Sequence, residues 1–130
     1  MKKFMLILVV LSMFGCASPV SEPDVEEPIV VTNPFIGTWK STTGGINSGF
    51  TFKDDGTFDY WFALVNTSGS GNYTYTDERL IFSNGKITNI NGTFTNINTS
   101  HTYEWIDEDQ FYLEPNREDR IYPDGRYVRQ

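Results

Sequence analysis

The chain has 130 residues, of which 17 are acidic and 10 basic, for a formal charge of −7. A surface of that sign repels phosphate backbones and anionic headgroups, which sets aside nucleic acid and polybasic membrane binding. A single cysteine and a single histidine leave no disulfide within the chain and no Cys/His cluster for zinc, so no metal or other cofactor is expected.

Taken from the start, Lys2 and Lys3 precede an apolar run, Phe4 to Phe14, broken only by Ser12. The run matches the length of a signal-peptide core and falls short of the roughly 20 residues needed to span a bilayer. The small Gly15 then predicts a cut before Cys16 and a signal segment over 1–15. Met13-Phe14-Gly15-Cys16 resembles the lipobox of bacterial lipoproteins. The resemblance implies a diacylglyceryl group on the Cys16 thiol, acylation of the new N-terminus and a lipid-anchored place in the bacterial cell envelope. Ala17, standing where an Asp would signal inner-membrane retention, implies the outer membrane. The alternative is an ordinary secretory signal that leaves Cys16 as a free thiol, a reactive liability in an exported protein.

Removal of 1–15 takes away two lysines and no acids, leaving eight basic residues against 17 acidic ones and a charge of −9. Residues 16–34 follow the cut with four prolines, four acids and no base, which reads as an extended tether reaching about 55 Å at roughly 3.1 Å per residue. The folded domain is then expected over 35–130. Its 18 aromatic residues supply much of the core.

Within that domain apolar residues alternate with period two rather than 3.6, which predicts strands. Phe50 and Phe52 share one face. Asp55-Gly56 is expected to form a type I′ hairpin turn, and Phe58, Tyr60 and Phe62 share the next face, with Trp61 opposite. Tyr73 and Tyr75 alternate before a turn at 76–79, and Leu80 and Phe82 alternate up to a second expected turn at Asn84-Gly85. Residues 88–100 carry a near-repeat around Asn91-Gly92 and read as either a bulged hairpin or a long polar loop. Tyr103 and Trp105 face Phe111 and Leu113 in a further hairpin. Pro123-Asp124-Gly125 turns a last small hairpin or bulges an edge strand. Successive short strands joined by tight turns predict an all-β, antiparallel up-and-down barrel, whose closure removes exposed edges.

The first strand of that barrel carries Gly37-Thr38-Trp39, followed by the F-x-F pair, "DDGTF", "YTY" and a terminal "YVR". This order resembles the small lipocalin-like (calycin) barrels of bacterial lipoproteins. The resemblance implies that Gly37 lets the chain bend into the barrel, that Trp39 plugs its closed end, and that Arg126 or Arg129 packs across the tryptophan.

No activated nucleophile surrounds His101, which is expected as a polar residue at a strand start, and "TSGSGN" at 67–72 reads as a loop. The acidic groups lack the spacing of a calcium loop. The candidate ligand-lining set is Phe52, Phe58, Tyr60, Tyr73, Tyr75, Tyr103 and Trp105, which either lines a cup or fills a small barrel. The expected function is a membrane-anchored, non-enzymatic binding or envelope-interaction module. Its partners would be the membrane through the N-terminal lipid and an envelope protein meeting loops such as 63–72 and 88–100. The alternative is a carrier of a small apolar or amphipathic ligand in the barrel interior.

Overall fold

The computed structural model describes residues 32–43, 47–116 and 122–130. The signal segment 1–15, Cys16 and the tether up to residue 31 lie outside the described residues. Eight strands follow in order among those described: β1 (Gly37–Ser41), β2 (Ser48–Phe52), β3 (Thr57–Phe62), β4 (Thr67–Tyr75), β5 (Arg79–Asn89), β6 (Gly92–Asp107), β7 (Gln110–Leu113) and β8 (Gly125–Arg129). Each pairs antiparallel with the next, and β8 pairs with β1, so the sheet closes into an up-and-down barrel. Closure gives both edges of the meander a partner.

Alternation sets the faces. Trp39, Phe50, Phe52, Phe58, Tyr60, Tyr73, Leu80, Phe82, Tyr103, Phe111, Leu113 and Tyr127 are buried in one core, while the residues between them face out. Two further rings come from outside the strands. Phe35 enters from the turn before β1, with ring centroids 4.9 Å from Tyr103 and 5.5 Å from Phe111. Tyr122 enters from the segment before β8, 4.6 Å from Phe82 and 5.1 Å from Tyr60.

Several local expectations are corrected. Residues 67–72 are strand rather than loop: Thr67–Asn72 pair with β3, and β4 continues onto β5. Serine and glycine have little strand preference of their own, so the pairing on both sides holds this segment extended. Gly69 and Gly71 face inward, where a Cβ at Gly71 would lie 3.0 Å from the Phe58 ring and 2.9 Å from the Ser83 carbonyl oxygen. The segment is small because large rings opposite it occupy the space.

Asn84-Gly85 does not turn. Asn84 adopts the left-handed conformation (φ 51°) at a bulge inside β5, and β6 answers with a second left-handed residue, Asn96 (φ 58°). Each extra residue reverses which positions face inward. Leu80 and Phe82 are therefore followed inside by Gly85 and Ile87, which resolves the broken period around Ile87. Residues 88–100 form the bulged hairpin, turning at Ile90-Asn91.

The Lys53–Gly56 turn is not type I′, because only Gly56 (φ 78°) has positive φ. Asp55 serves it differently: its carboxylate accepts hydrogen bonds from the Thr57 backbone N–H (2.9 Å) and hydroxyl (2.6 Å). Those bonds hold the Asp55 pKa below its usual value. Gly125, with φ 131°, opens β8, and β8 pairs with β7 without a bulge.

Candidate functional site

The two ends of the barrel differ in how they are finished. At the first end Gly37, Phe52, Thr57, Tyr75, Arg79 and Arg129 mark the strand limits, and the described chain enters there. Phe35 fills this end against Phe52, Tyr75, Tyr103, Trp105 and Phe111. Trp39 lies behind it and donates its indole N–H to the Phe35 carbonyl at 2.7 Å. The Arg129 guanidinium stacks over the Trp39 ring, with Cζ 4.3 Å from the centroid. It also donates to the carbonyls of Ile36 (2.7 Å) and Pro34 (2.9 Å) and to the Asp109 carboxylate (2.9 Å).

Glycine at 37 fits this arrangement, since a Cβ there would sit 3.1 Å from an Arg129 nitrogen and the backbone φ is 131°. Arg126, the other arginine of the last strand, lies exposed on the outward-facing register of β8 and takes no part in the stack.

Tyrosine hydroxyls tie the turns of the same end. The Tyr73 hydroxyl donates to the Lys53 carbonyl (2.9 Å) and accepts from the Asn33 amide (2.7 Å). The Tyr103 hydroxyl donates to the Thr76 carbonyl at 2.7 Å. Burial raises the pKa of both phenols. Asn33 and Pro34, expected in the tether, are thus fastened to the barrel.

The other end is different in kind. After β3 a single 3₁₀ turn, Ala63–Val65, ends on Asn66 in the left-handed conformation (φ 46°). Opposite it stands the β5–β6 hairpin, whose paired residues Ile87 and Phe94 share a face. Between them lies a cleft of about 430 Å³ lined by Phe62, Val65, Ile87, Phe94 and Ile97, with Tyr60 among its walls. The flanking elements carry apolar residues in solvent: Leu64 of the 3₁₀ turn is 76% exposed, Ile90 at the hairpin tip 81% and Phe94 51%. Tyr60 is 2% exposed, and its buried hydroxyl has no hydrogen-bond partner among the described residues. That burial, with the Tyr127 and Tyr122 phenols nearby, pushes its pKa well up.

A second groove of about 490 Å³ runs along β5 and β6 beside Arg79, Asn98 and Asn116, but its polar groups engage one another. Arg79 Nε donates to Ser100 Oγ at 2.7 Å, and the Asn116 amide donates to the Ser100 carbonyl at 3.0 Å.

The sequence-derived lining set is brought together as one ring cluster. Phe52 and Phe58 are fully buried, each in contact with Phe50 and Phe82. Tyr73 packs on Phe52, Tyr75 and Tyr103 pack on Phe35, and Trp105 meets Trp39 and Phe111. Of the seven, Tyr60 alone belongs to the open-end cleft.

His101 is not at a strand start. It lies within β6, 1% exposed, with its ring near Phe82 and its nitrogens 3.4 Å from Thr99 Oγ1 and the Glu114 carbonyl oxygen. It shares the odd-numbered register of Tyr103 and Trp105, a period that points it inward. Trp61 is half-buried on the outer wall, where its ring lies over Gly49 of the paired strand.

Among the described residues no three His, Cys, Asp or Glu side chains gather as a metal site, and no helix is long and apolar enough to cross a membrane. Sequence reasoning did not find Ile87, Phe94 and Ile97 as one surface, because two bulges separate their register. Compared with protein-family models, with curated proteins and with solved structures, the chain gives no match.

Proposed function

We propose that this protein is an exported lipoprotein, anchored in the bacterial outer membrane through acylated Cys16, whose lipocalin-like barrel is a non-enzymatic binding or envelope-interaction module. The observation that carries the reading is the lone cysteine placed one small residue after an eleven-residue, almost wholly apolar run. Two or more acyl chains make a stable anchor, each buried methylene contributing about 0.8 kcal/mol. The lipocalin-like part is supported by the Gly37-Thr38-Trp39 strand start, with Arg129 of the last strand stacked on Trp39. A non-enzymatic role accords with the burial of the single histidine inside the barrel.

The close ring packing of the interior, with centroids 4.6–6.4 Å apart, favours recognition at the surface over a carrier that uses the barrel interior. Incorporation of labelled palmitate in a bacterial host tests the anchor. The wild-type chain should take up label, and Cys16→Ser should take up none and leave the membrane fraction. An unlabelled wild type, or a Cys16→Ser chain that stays in the membrane after a carbonate wash, overturns the reading.

A further inference from the structure

We infer that the outer edge of β6 at Thr93–Thr95 is a self-association site, where a second copy of this chain adds its own β6 antiparallel about a two-fold axis at Phe94. The inference goes beyond the binding-module reading and needs neither the lipid anchor nor a ligand. Three observations carry it.

The first is an unpaired strand edge. Closure gives every strand two neighbours, but the neighbours differ in length. β6 spans Gly92–Asp107, whereas its pairing with β7 covers only Tyr103–Asp107. Past β7 the described chain follows β6 as far as Ser100: the Glu114 N–H donates to the Thr102 carbonyl (2.9 Å) and the Asn116 amide to the Ser100 carbonyl (3.0 Å). Further out, Gly92–Asn96 are exposed, and among the described residues no strand pairs with that side. Antiparallel pairs alternate between exchanging backbone bonds and not doing so. With the hairpin closed at Asn89↔Gly92, that alternation turns the N–H and C=O groups of Thr93 and Thr95 away from β5. The left-handed Asn96 ends the extended run, which bounds the site.

The second is that this edge carries no guard. Exposed edges are ordinarily protected by lysine, proline or other charged side chains. From Ile87 to Tyr103 the sequence holds no Asp, Glu, Lys, Arg or Pro. Thr93, Phe94 and Thr95 are all residue types that favour strands.

The third is the placement of charge, and it names the occupant. The plugged-end turns are acidic, with Asp54-Asp55, Asp77-Glu78 and Asp107-Glu108-Asp109. At the other end the β1–β2, β3–β4 and β5–β6 connections hold no charged residue, and charge comes only from the β7–β8 connection. Two copies of a chain of charge −7 repel each other, and they do so least across the uncharged hairpin. Identical edges are self-complementary under a two-fold axis. Thr93 of each copy then exchanges backbone bonds with Thr95 of the other. The two Phe94 side chains stand opposite as a cross-strand aromatic pair, which covers a ring otherwise 51% exposed.

The test is oxidative cross-linking with copper phenanthroline, on the full chain carrying Cys16→Ser so that one introduced thiol is the only one. It is run on the purified chain and on the envelope fraction of a bacterial host. Opposed residues of a non-hydrogen-bonded pair lie about 4.5 Å apart at Cα, within the span of a disulfide. Phe94→Cys is therefore expected to give a disulfide-linked dimer on a non-reducing gel. Leu64→Cys and Ile90→Cys occupy more exposed positions, so random collision would favour them. Each is expected to give at least about ten-fold less dimer, since the register holds the two copies of position 90 more than about 20 Å apart. The apolar leader is common to all variants, so differences between positions read the edge.

Thr95→Lys, added to Phe94→Cys, places a guard charge on the edge. It should cut the dimer at least about five-fold and leave the melting temperature unchanged, because position 95 is exposed. A chain that stays monomeric with Phe94→Cys overturns the inference. Equal cross-linking at all three positions, or a dimer that Thr95→Lys leaves intact, overturns it too. So does a Phe94→Cys chain that links in the envelope fraction to a different protein rather than to itself, since the occupant is then not a second copy.

Discussion

The plugged end and the open end of this barrel are made from the same kinds of residue and finished in opposite ways. At the plugged end four large polar side chains have partners. The Trp39 indole donates to Phe35, Arg129 meets two backbone carbonyls and a carboxylate, and the Tyr73 and Tyr103 hydroxyls tie two turns. At the open end a tyrosine hydroxyl is buried without a partner, and Leu64, Ile90 and Phe94 stand in solvent. Satisfied groups stabilise a fold, whereas unmet ones cost stability and are retained where something else uses them. The contrast therefore separates an end whose polar groups are tied to the fold from one that leaves the Tyr60 hydroxyl unmet and apolar side chains in solvent.

If the plugged end is structural, damage there should unfold the protein. Trp39→Ala should destabilise the domain by about 3–5 kcal/mol, as expected for a fully buried aromatic, in chemical denaturation. A midpoint equal to wild type would break the comparison at its strongest point. Arg129→Ala removes the stacked cation together with its bonds to Ile36 and Pro34. The expected loss is about 1–3 kcal/mol, smaller because the guanidinium keeps part of its surface in water. Arg126→Ala, on the outward face, should leave the midpoint in place.

Alkaline pH acts on the buried phenols. Burial raises the pKa of Tyr60 and Tyr127 far above the ordinary value of 10.0. In the fold they stay protonated while the unfolded chain ionises above pH 10, so the stability they carry is complete below pH 10 and is lost as pH rises beyond it. Phenolate absorbance from these two should therefore appear together with unfolding. Titration of all tyrosines near pH 10 in a still-folded chain would contradict their burial. A small effect should also come from the hairpin tip: Ile90→Ser, at an exposed position, is expected to shift stability by no more than about 0.5 kcal/mol.

Much of the barrel was legible because its strands obey one period. The alternations Phe50/Phe52, Phe58/Tyr60/Phe62, Tyr73/Tyr75, Leu80/Phe82, Tyr103/Trp105 and Phe111/Leu113 all place their residues on the inner side. Gly37, Trp39 and the last strand's arginine were legible as a set, though only the structure separates Arg129 from Arg126. Local composition misled in two places. The Ser/Gly run of β4 is extended because two neighbours bind it and because the Phe58 and Tyr60 rings fill the space beside its glycines.

Asn84-Gly85 has the residues of a turn, yet β5 continues through it because pairing to β4 and β6 resumes on both sides. The cleft was hidden for the same reason. Its lining depends on two register shifts that reverse the face of every following residue, and a period-two reading loses phase at the first of them. Phe35 and Tyr122 lie outside any strand, so periodicity gave no sign that their rings enter the core from either end.

The two ends differ most sharply in one pair of buried hydroxyls: that of Tyr103 ties a turn at the plugged end, whereas that of Tyr60 is left without a partner at the other. Parallel thermal unfolding of Tyr103→Phe and Tyr60→Phe tests it most directly, because each removes a single oxygen from a buried ring. Tyr103→Phe, which loses the bond to Thr76, should melt lower, by an amount equivalent to about 1 kcal/mol. Tyr60→Phe should melt at or above wild type. Equal losses in the two variants would show that the Tyr60 hydroxyl is a structural group like the rest, and the distinction between the two ends would fall.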